Sequence, residues 1–131
     1  MSAIVGIGLD VVDLARFQGV LERHGEAFTR RIFREGEIRP SAGSARVAHL
    51  GGLFAAKEAA MKALGTGWAL GVGFRQVEIA RDAAGAPSLR FHDEALRRAE
   101  ALGVATAHLS ITHDGRIAAA VVVLEAAGGK S

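Results

Sequence analysis

Apolar positions along this chain recur first with a period of two and then with the period of a helix. Residues 4–12 read as a strand, with Val5, Ile7, Leu9 and Val11 on one face and Gly6, Gly8 and Asp10 on the other. Asp13 suits an N-cap, and Leu14, Phe17 and Leu21 follow at helical spacing. Gly25 marks the expected stop of that helix, and a second short helix is predicted over 26–33. Residues 34–43 are polar, contain Pro40, Ser41 and Gly43, and read as a loop. The strongest helical period covers 46–64, where Val47, Leu50, Phe54, Met61 and Leu64 form one stripe. Gly65-Thr66-Gly67 ends it. Strands are predicted at 76–80 and 88–91, and Asp93 is expected to cap a helix that reaches Leu102 and stops at Gly103. Two further strands, 107–113 and 116–124, flank Asp114-Gly115, a strong hairpin signal. The order β-α-α-α-β-β-α-β-β predicts an α+β domain with a mainly antiparallel sheet and a long central helix.

Composition narrows the function classes. With 131 residues and half of them hydrophobic, the chain supports one core; the expected domain is 1–125, with a flexible C-terminal tail at 126–131. Cysteine is absent, which excludes a disulfide framework, a thiolate metal site and a cysteine nucleophile. The apolar run at 117–124 is far shorter than the roughly 20 residues of a membrane span, and no signal peptide is visible, so a cytoplasmic protein is expected. The net charge is +2, and 13 of the 16 cationic side chains are arginine. That excess is too small to call for nucleic acid, but it allows a local basic face for an acidic partner.

Four places carry candidate chemistry. Glu58 lies about 40° from Phe54 on the helical wheel, a carboxylate within an apolar stripe. Its partner is either Lys62, at i+4, or a metal ion. Asp10 ends the glycine-bearing face of the first strand, where Gly6 and Gly8 let another backbone or a ligand approach closely. Two hard carboxylates completed by ligand oxygens and water suit Mg²⁺. Gly65-Thr66-Gly67 is either a plain helix C-cap or a loop whose N–H groups and hydroxyl face phosphate oxygens. In Ser110-Ile111-Thr112-His113 the alternation puts Ser110 and Thr112 on one face and His113 on the other, beside the turn. No Walker loop, dinucleotide fingerprint or nucleophile elbow is present.

Three stretches, in order, resemble the holo-(acyl-carrier-protein) synthases, small 4′-phosphopantetheinyl transferases. They are Ile7-Gly8-Leu9-Asp10 with Arg16-Phe17; Phe54-Ala55-Ala56-Lys57-Glu58-Ala59 with Lys62-Ala63-Leu64-Gly65-Thr66-Gly67; and Leu109-Ser110-Ile111-Thr112-His113 through Glu125. The segment from Phe33 to Glu37 resembles the family's Phe-Thr-x-x-Glu. The resemblance implies the 4′-phosphopantetheinyl transferase fold and Mg²⁺-dependent transfer of phosphopantetheine from coenzyme A to a serine of an acyl carrier protein in fatty acid synthesis, releasing adenosine 3′,5′-bisphosphate. It implies Asp10 and Glu58 as metal ligands and Lys62 beside the pyrophosphate. Lys57, Gly65, Thr66, Gly67, Ser110, Thr112 and His113 would line the coenzyme site, and Arg16 would meet the acidic carrier. It also implies a homotrimer with sites between subunits.

Two positions depart from the family's pattern. Leu53 stands where an arginine often precedes the Phe/Trp-Ala-x-Lys-Glu motif, and Thr112 stands where serine is commoner. The first removes a cation that would meet phosphate, and Arg46 or His49, nearby on the same helix, is expected to replace it. Alternative readings are the same chemistry on a polyketide or peptide synthetase carrier, and a non-catalytic basic module that binds an acidic protein or RNA.

Overall fold

The computed structural model describes residues 2–67 and 70–128. Strand β1 (Ala3–Asp13) leads into helix α1 (Leu14–Ile32), and a short 3₁₀ turn at Glu35–Glu37 precedes the central helix α2 (Gly43–Leu64). A second 3₁₀ turn at Phe74–Gln76 leads to the hairpin β2 (Val77–Arg81) and β3 (Pro87–Phe91). Helix α3 (Asp93–Leu102) and the hairpin β4 (Val104–Asp114) and β5 (Ile117–Ala126) follow. The strands form a three-stranded sheet in the order β1-β5-β4 and a two-stranded sheet β2-β3, antiparallel throughout. The expected α+β architecture with a long central helix is therefore what the chain adopts.

Local signals explain most boundaries. The Asp13 carboxylate accepts from the Arg16 N–H at 3.0 Å and starts α1. Gly25, with φ 53° and ψ −135°, breaks α1 into the two helical pieces that its sequence suggests. Asp93 does not cap α3. It is the first helical residue, His92 is the N-cap, and the Ala95 N–H is satisfied at 3.0 Å by the side-chain oxygen of Gln76, from another element. Strand β5 continues to Ala126, which faces Ala3 and Val104, so the first residue of the expected tail belongs to the sheet. Residues 129–131 of that tail lie outside the described residues.

The packing of α2 departs from the single expected stripe. From Leu50 to Leu64 every residue is buried except Phe54, Glu58 and Lys62. The reason is that α2 lies against the inner face of the β1-β5-β4 sheet and is covered on its other sides by α1, β2 and α3. A helix apolar nearly all round is a core helix. Its alanines let β1 come very close: a Cβ on Gly8 would stand 1.8 Å from the Ala59 carbonyl oxygen, and one on Gly6 2.0 Å from that of Ala63. The glycine face of β1 is thus the inner one. Its apolar face points outward, leaving Ile7, Leu9 and Val11 65%, 61% and 56% exposed.

Candidate active site

Phe54, Glu58 and Lys62 are spaced four apart, so they form one open line along the otherwise buried stretch 50–64 of α2. Asp10 meets that line from the sheet. It shares the inner face with Gly8 and lies in register with Ala120 and Ile111. The Lys62 ammonium donates to the Asp10 carboxylate and to the Leu9 carbonyl, both at 3.1 Å. The Asp10 side chain is only 12% exposed, whereas that of Lys62 is 53% exposed, so the cation reaches solvent and the carboxylate faces inward. Of the two partners open to Glu58 in the sequence, Lys62 is held by Asp10. Burial pushes the Glu58 carboxyl above its ordinary value, the negative charge of Asp10 adds to this, and Lys62 opposes it.

Asp10, Glu58, Arg16, Phe54, Phe17 and Phe28 line one cavity of about 380 Å³. The wall is positioned by ring packing: the centroids of Phe17 and Phe54 are 5.4 Å apart, and those of Phe28 and Phe54 6.1 Å. This packing holds α1, and with it Arg16, against the helix that carries Glu58. Among the described residues no group of three His, Asp or Glu side chains is placed to hold a metal ion. Asp10 and Glu58 share the cavity with Asp13, whose carboxylate is engaged in capping α1.

Lys57 does not belong to this site. Its side chain is fully buried and its ammonium lies 2.9 Å from the Glu37 carboxylate, which is also fully buried. It donates further to the carbonyls of Val77 at 2.6 Å and Phe74 at 3.0 Å. Glu37 in turn accepts from the N–H groups of Arg34 and Ile79, each at 2.7 Å. Burial pulls the Lys57 ammonium down and the Glu37 charge pulls it back up. Satisfied by three oxygens, Lys57 ties the 34–38 segment and β2 to α2 and is closed off from any coenzyme. Glu37, which sequence reasoning did not single out as functional, anchors this clasp.

The 65–67 segment resolves in favour of the helix C-cap. Gly65 is left-handed at φ 76°, and its N–H donates to the Lys62 carbonyl, while those of Thr66 and Gly67 donate to that of Met61. Thr66 is buried, with its hydroxyl directed at the Met61 and Gly67 carbonyls. These amide groups are therefore committed to the helix end rather than presented as a phosphate cradle.

Ser110 and Thr112 face outward from the sheet, in register with Leu9–Val121 and Val11–Ala119. His113 lies on the opposite face, in register with Val12–Ala118, and helps line a second cavity of about 240 Å³ beside Leu53. His49 lines that cavity, while Arg46 is not among its lining residues. Two cations that sequence reasoning missed, Arg39 and Arg81, also face it. Apart from Lys57, Arg46 and the 65–67 segment, the candidate residues fall into three places: Asp10, Glu58, Lys62 and Arg16 together; His113 with His49; and Ser110 with Thr112 on the outer sheet face.

Residues 6–122 match the sequence profile of the 4′-phosphopantetheinyl transferase superfamily. The chain is 52% identical over 122 residues to a holo-[acyl-carrier-protein] synthase of Solidesulfovibrio magneticus, covering 93% of this chain and 98% of that protein. It superposes on the crystal structure of the Neisseria meningitidis holo-[acyl-carrier-protein] synthase with a TM-score of 0.83 and 36% identity, over 93% of this chain and 98% of that one. The Bacillus anthracis holo-(acyl-carrier-protein) synthase in complex with CoA (3′,5′-ADP) gives a TM-score of 0.78 at 36% identity, covering 95% and 98% of the two chains.

Proposed function

We infer the reaction from a plain premise: the chain belongs to the 4′-phosphopantetheinyl transferase superfamily. It transfers the 4′-phosphopantetheine group of coenzyme A to a serine of an apo acyl carrier protein. The serine oxygen bonds to the phosphorus that bears the pantetheine, the bond from that phosphorus to the bridging oxygen of the pyrophosphate breaks, and adenosine 3′,5′-bisphosphate leaves. The observation that carries the assignment of the site is the meeting of Asp10 and Glu58 at one cavity, with Lys62 reaching solvent beside them.

The donor set fits Mg²⁺. Two hard carboxylates, one of them held above its ordinary value by burial and by the other, call for a nearby positive charge beyond Lys62. Asp10 and Glu58 would hold the ion, which when bound supplies charge neutralisation and Lewis acidity at the pyrophosphate. Lys62, anchored at Asp10 and the Leu9 carbonyl, orients a phosphoryl oxygen and stabilises charge building on it. Phe54, Phe17 and Phe28 supply an apolar wall that limits water at the reacting centre. Arg16, at the same cavity, meets the acidic surface of the carrier and brings its serine to the donor.

The outer sheet face supports an assembly of several copies. Ile7, Leu9 and Val11 stand exposed beside Val121 and Val123, an apolar surface of a kind that isolated soluble domains rarely leave open. A homotrimer buries it and brings Ser110 and Thr112 to a subunit boundary. Among the described residues no helix is long and apolar enough to cross a membrane. The carrier of fatty acid synthesis is the assigned client. The test is the intact mass of an apo carrier protein after incubation with this chain, coenzyme A and Mg²⁺. A gain of one phosphopantetheine per carrier is expected, and an unchanged mass refutes the reading.

A further inference from the structure

Gly25, at φ 53° and ψ −135°, divides α1 into a first piece, 14–24, and a second, 26–32. The cavity that holds Asp10 and Glu58 takes its α1 wall from both: Arg16, Phe17 and Val20 from the first piece and Phe28 from the second. Its shape therefore depends on the angle between the two. A glycine does not fix that angle by itself, because its backbone is the most permissive of any residue. The ring of Phe28 packs against those of Phe17 and Phe54, with centroids 5.9 and 6.1 Å away. Such packing draws the second piece inward but has little directional preference, so the angle must be set by hydrogen bonds at the far end of α1.

A helix end leaves its last carbonyls without intrahelical donors. The Phe33 N–H serves the Thr29 carbonyl at 2.8 Å. The Arg34 N–H, which would serve the Arg30 carbonyl in a continuing helix, donates instead to the Glu37 carboxylate at 2.7 Å. Arg75 takes its place: its Nη1 donates to the Arg30 carbonyl at 3.0 Å and to the Phe33 carbonyl at 2.5 Å. The guanidinium also stands where the helix dipole favours positive charge. In return the Arg34 Nε donates to the Arg75 carbonyl at 2.7 Å. Arg75 belongs to the 3₁₀ turn at 74–76, and that turn is seated on α2, the helix of Glu58. The Phe74 ring stacks on that of Phe54 at 5.1 Å, and the Phe74 carbonyl accepts from Lys57 at 3.0 Å. Arg75 is thus a strut between the helix that carries the site and the movable half of the helix that walls it.

We propose that Arg75 is a positioning residue for carrier recognition: by holding the Arg30 and Phe33 carbonyls it sets the angle of 26–32 at Gly25 and so places Phe28 in the cavity wall beside Arg16. This rests on the transferase reading. Arg75 is not among the residues that line the cavity, so it acts through Phe28 and touches neither substrate.

The test is the steady-state kinetics of carrier modification by the full chain, wild type and Arg75→Ala, with melting temperature and amide exchange measured beside it. Arg75→Ala is expected to raise the KM for carrier about ten-fold, within the range of remote changes along a packed network, and to leave the KM for coenzyme A close to wild type. Exchange of the 26–32 amides quickens while that of the 14–24 amides is unchanged. Arg75→Lys, which keeps a cationic donor for both carbonyls, restores the carrier KM. Phe28→Ala raises it as well, and adding Arg75→Ala to Phe28→Ala changes it little further, because both act on one wall. The ratio between Arg75→Ala and wild type persists in about 1 M salt, where charges are screened beyond about 3 Å. A lower melting temperature with no split between the two KM values makes Arg75 merely structural and overturns the proposal. Additive effects with Phe28→Ala, or a ratio that vanishes in salt, overturn it also, since the cation then acts on the carrier directly. Should Arg75→Ala not fold, Arg75→Gln is read in its place, where the same split in smaller degree supports the proposal and wild-type KM values overturn it. All these outcomes leave the transferase reading standing; a wild-type chain that modifies no carrier overturns both.

Discussion

Gly8→Ala tests how β1 and α2 together build the site. The new Cβ would lie 1.8 Å from the Ala59 carbonyl oxygen and 2.8 Å from its carbon, whereas ordinary contact begins at 3.4 Å. About 1.6 Å of separation is missing at the oxygen, and the obstacle is helix backbone rather than a movable side chain. Helix α2 is buried on its other sides, so retreat disturbs packing there as well. Overpacking of this kind costs about 1–3 kcal/mol, and the upper end applies where backbone must move. For a domain of this size that lowers the melting temperature by about 10 °C. Ala59 follows Glu58 directly and Gly8 lies two residues from Asp10, so the same retreat draws the two carboxylates apart. A misplacement of about 1 Å at a reacting centre costs roughly 100-fold in rate. The assay is thermal unfolding by circular dichroism beside carrier modification by mass. Gly36→Ala is the control, because a Cβ there meets nothing within 4 Å. A Gly8→Ala chain that melts with the wild type and modifies carrier at the wild-type rate refutes the reasoning.

Other outcomes follow from named contacts. Glu58 is held above its ordinary value, so between that value and its raised one the folded chain binds more protons than the unfolded chain, and metal-free stability falls as pH rises through this window. Melting curves of metal-free Glu58→Gln are expected to lack that fall, and a Mg²⁺-induced rise in melting temperature is expected only in the wild type. Lys57→Met leaves Glu37 buried and unpaired and is expected to cost about 3–5 kcal/mol in denaturant unfolding, with Lys57→Met/Glu37→Gln less damaging than the single change. Leu9→Asp, on the outer sheet face, is expected to give smaller species in sedimentation and to depress transfer with them. Arg16→Glu is expected to raise the KM for carrier about ten-fold while the KM for coenzyme A stays close to wild type in steady-state kinetics.

What the sequence reveals follows the range of the forces involved. The strands, the hairpin at Asp114-Gly115, the Gly25 break and the Asp13 cap are local, and each is legible because neighbours in sequence are neighbours in space. The start of α3 is not, because its cap comes from Gln76. Asp10 and Glu58 stand out because a carboxylate on a glycine face or an apolar helix needs a reason. Lys57 misleads for the converse cause: a lysine beside a candidate metal-ligating glutamate reads as a phosphate ligand, and its actual partner, Glu37, is brought to it only by the fold. Periodicity made α2 a one-sided helix, since it measures pattern and not the number of elements that cover it. Which face of β1 is the inner one is likewise set only by the fold: the apolar run points outward while glycine takes the inner side. Arg39 and Arg81 carry no local signal.

The central claim is that Asp10 and Glu58 act as one divalent-cation site for phosphopantetheine transfer. Its most direct test is the Mg²⁺ dependence of carrier mass gain for wild type, Asp10→Asn, Glu58→Gln and the double variant, each shown folded by circular dichroism. The account requires a saturable gain in the wild type that a chelator abolishes, and none in the three variants. A double variant that modifies carrier at the wild-type rate, or a wild-type gain indifferent to the chelator, contradicts it.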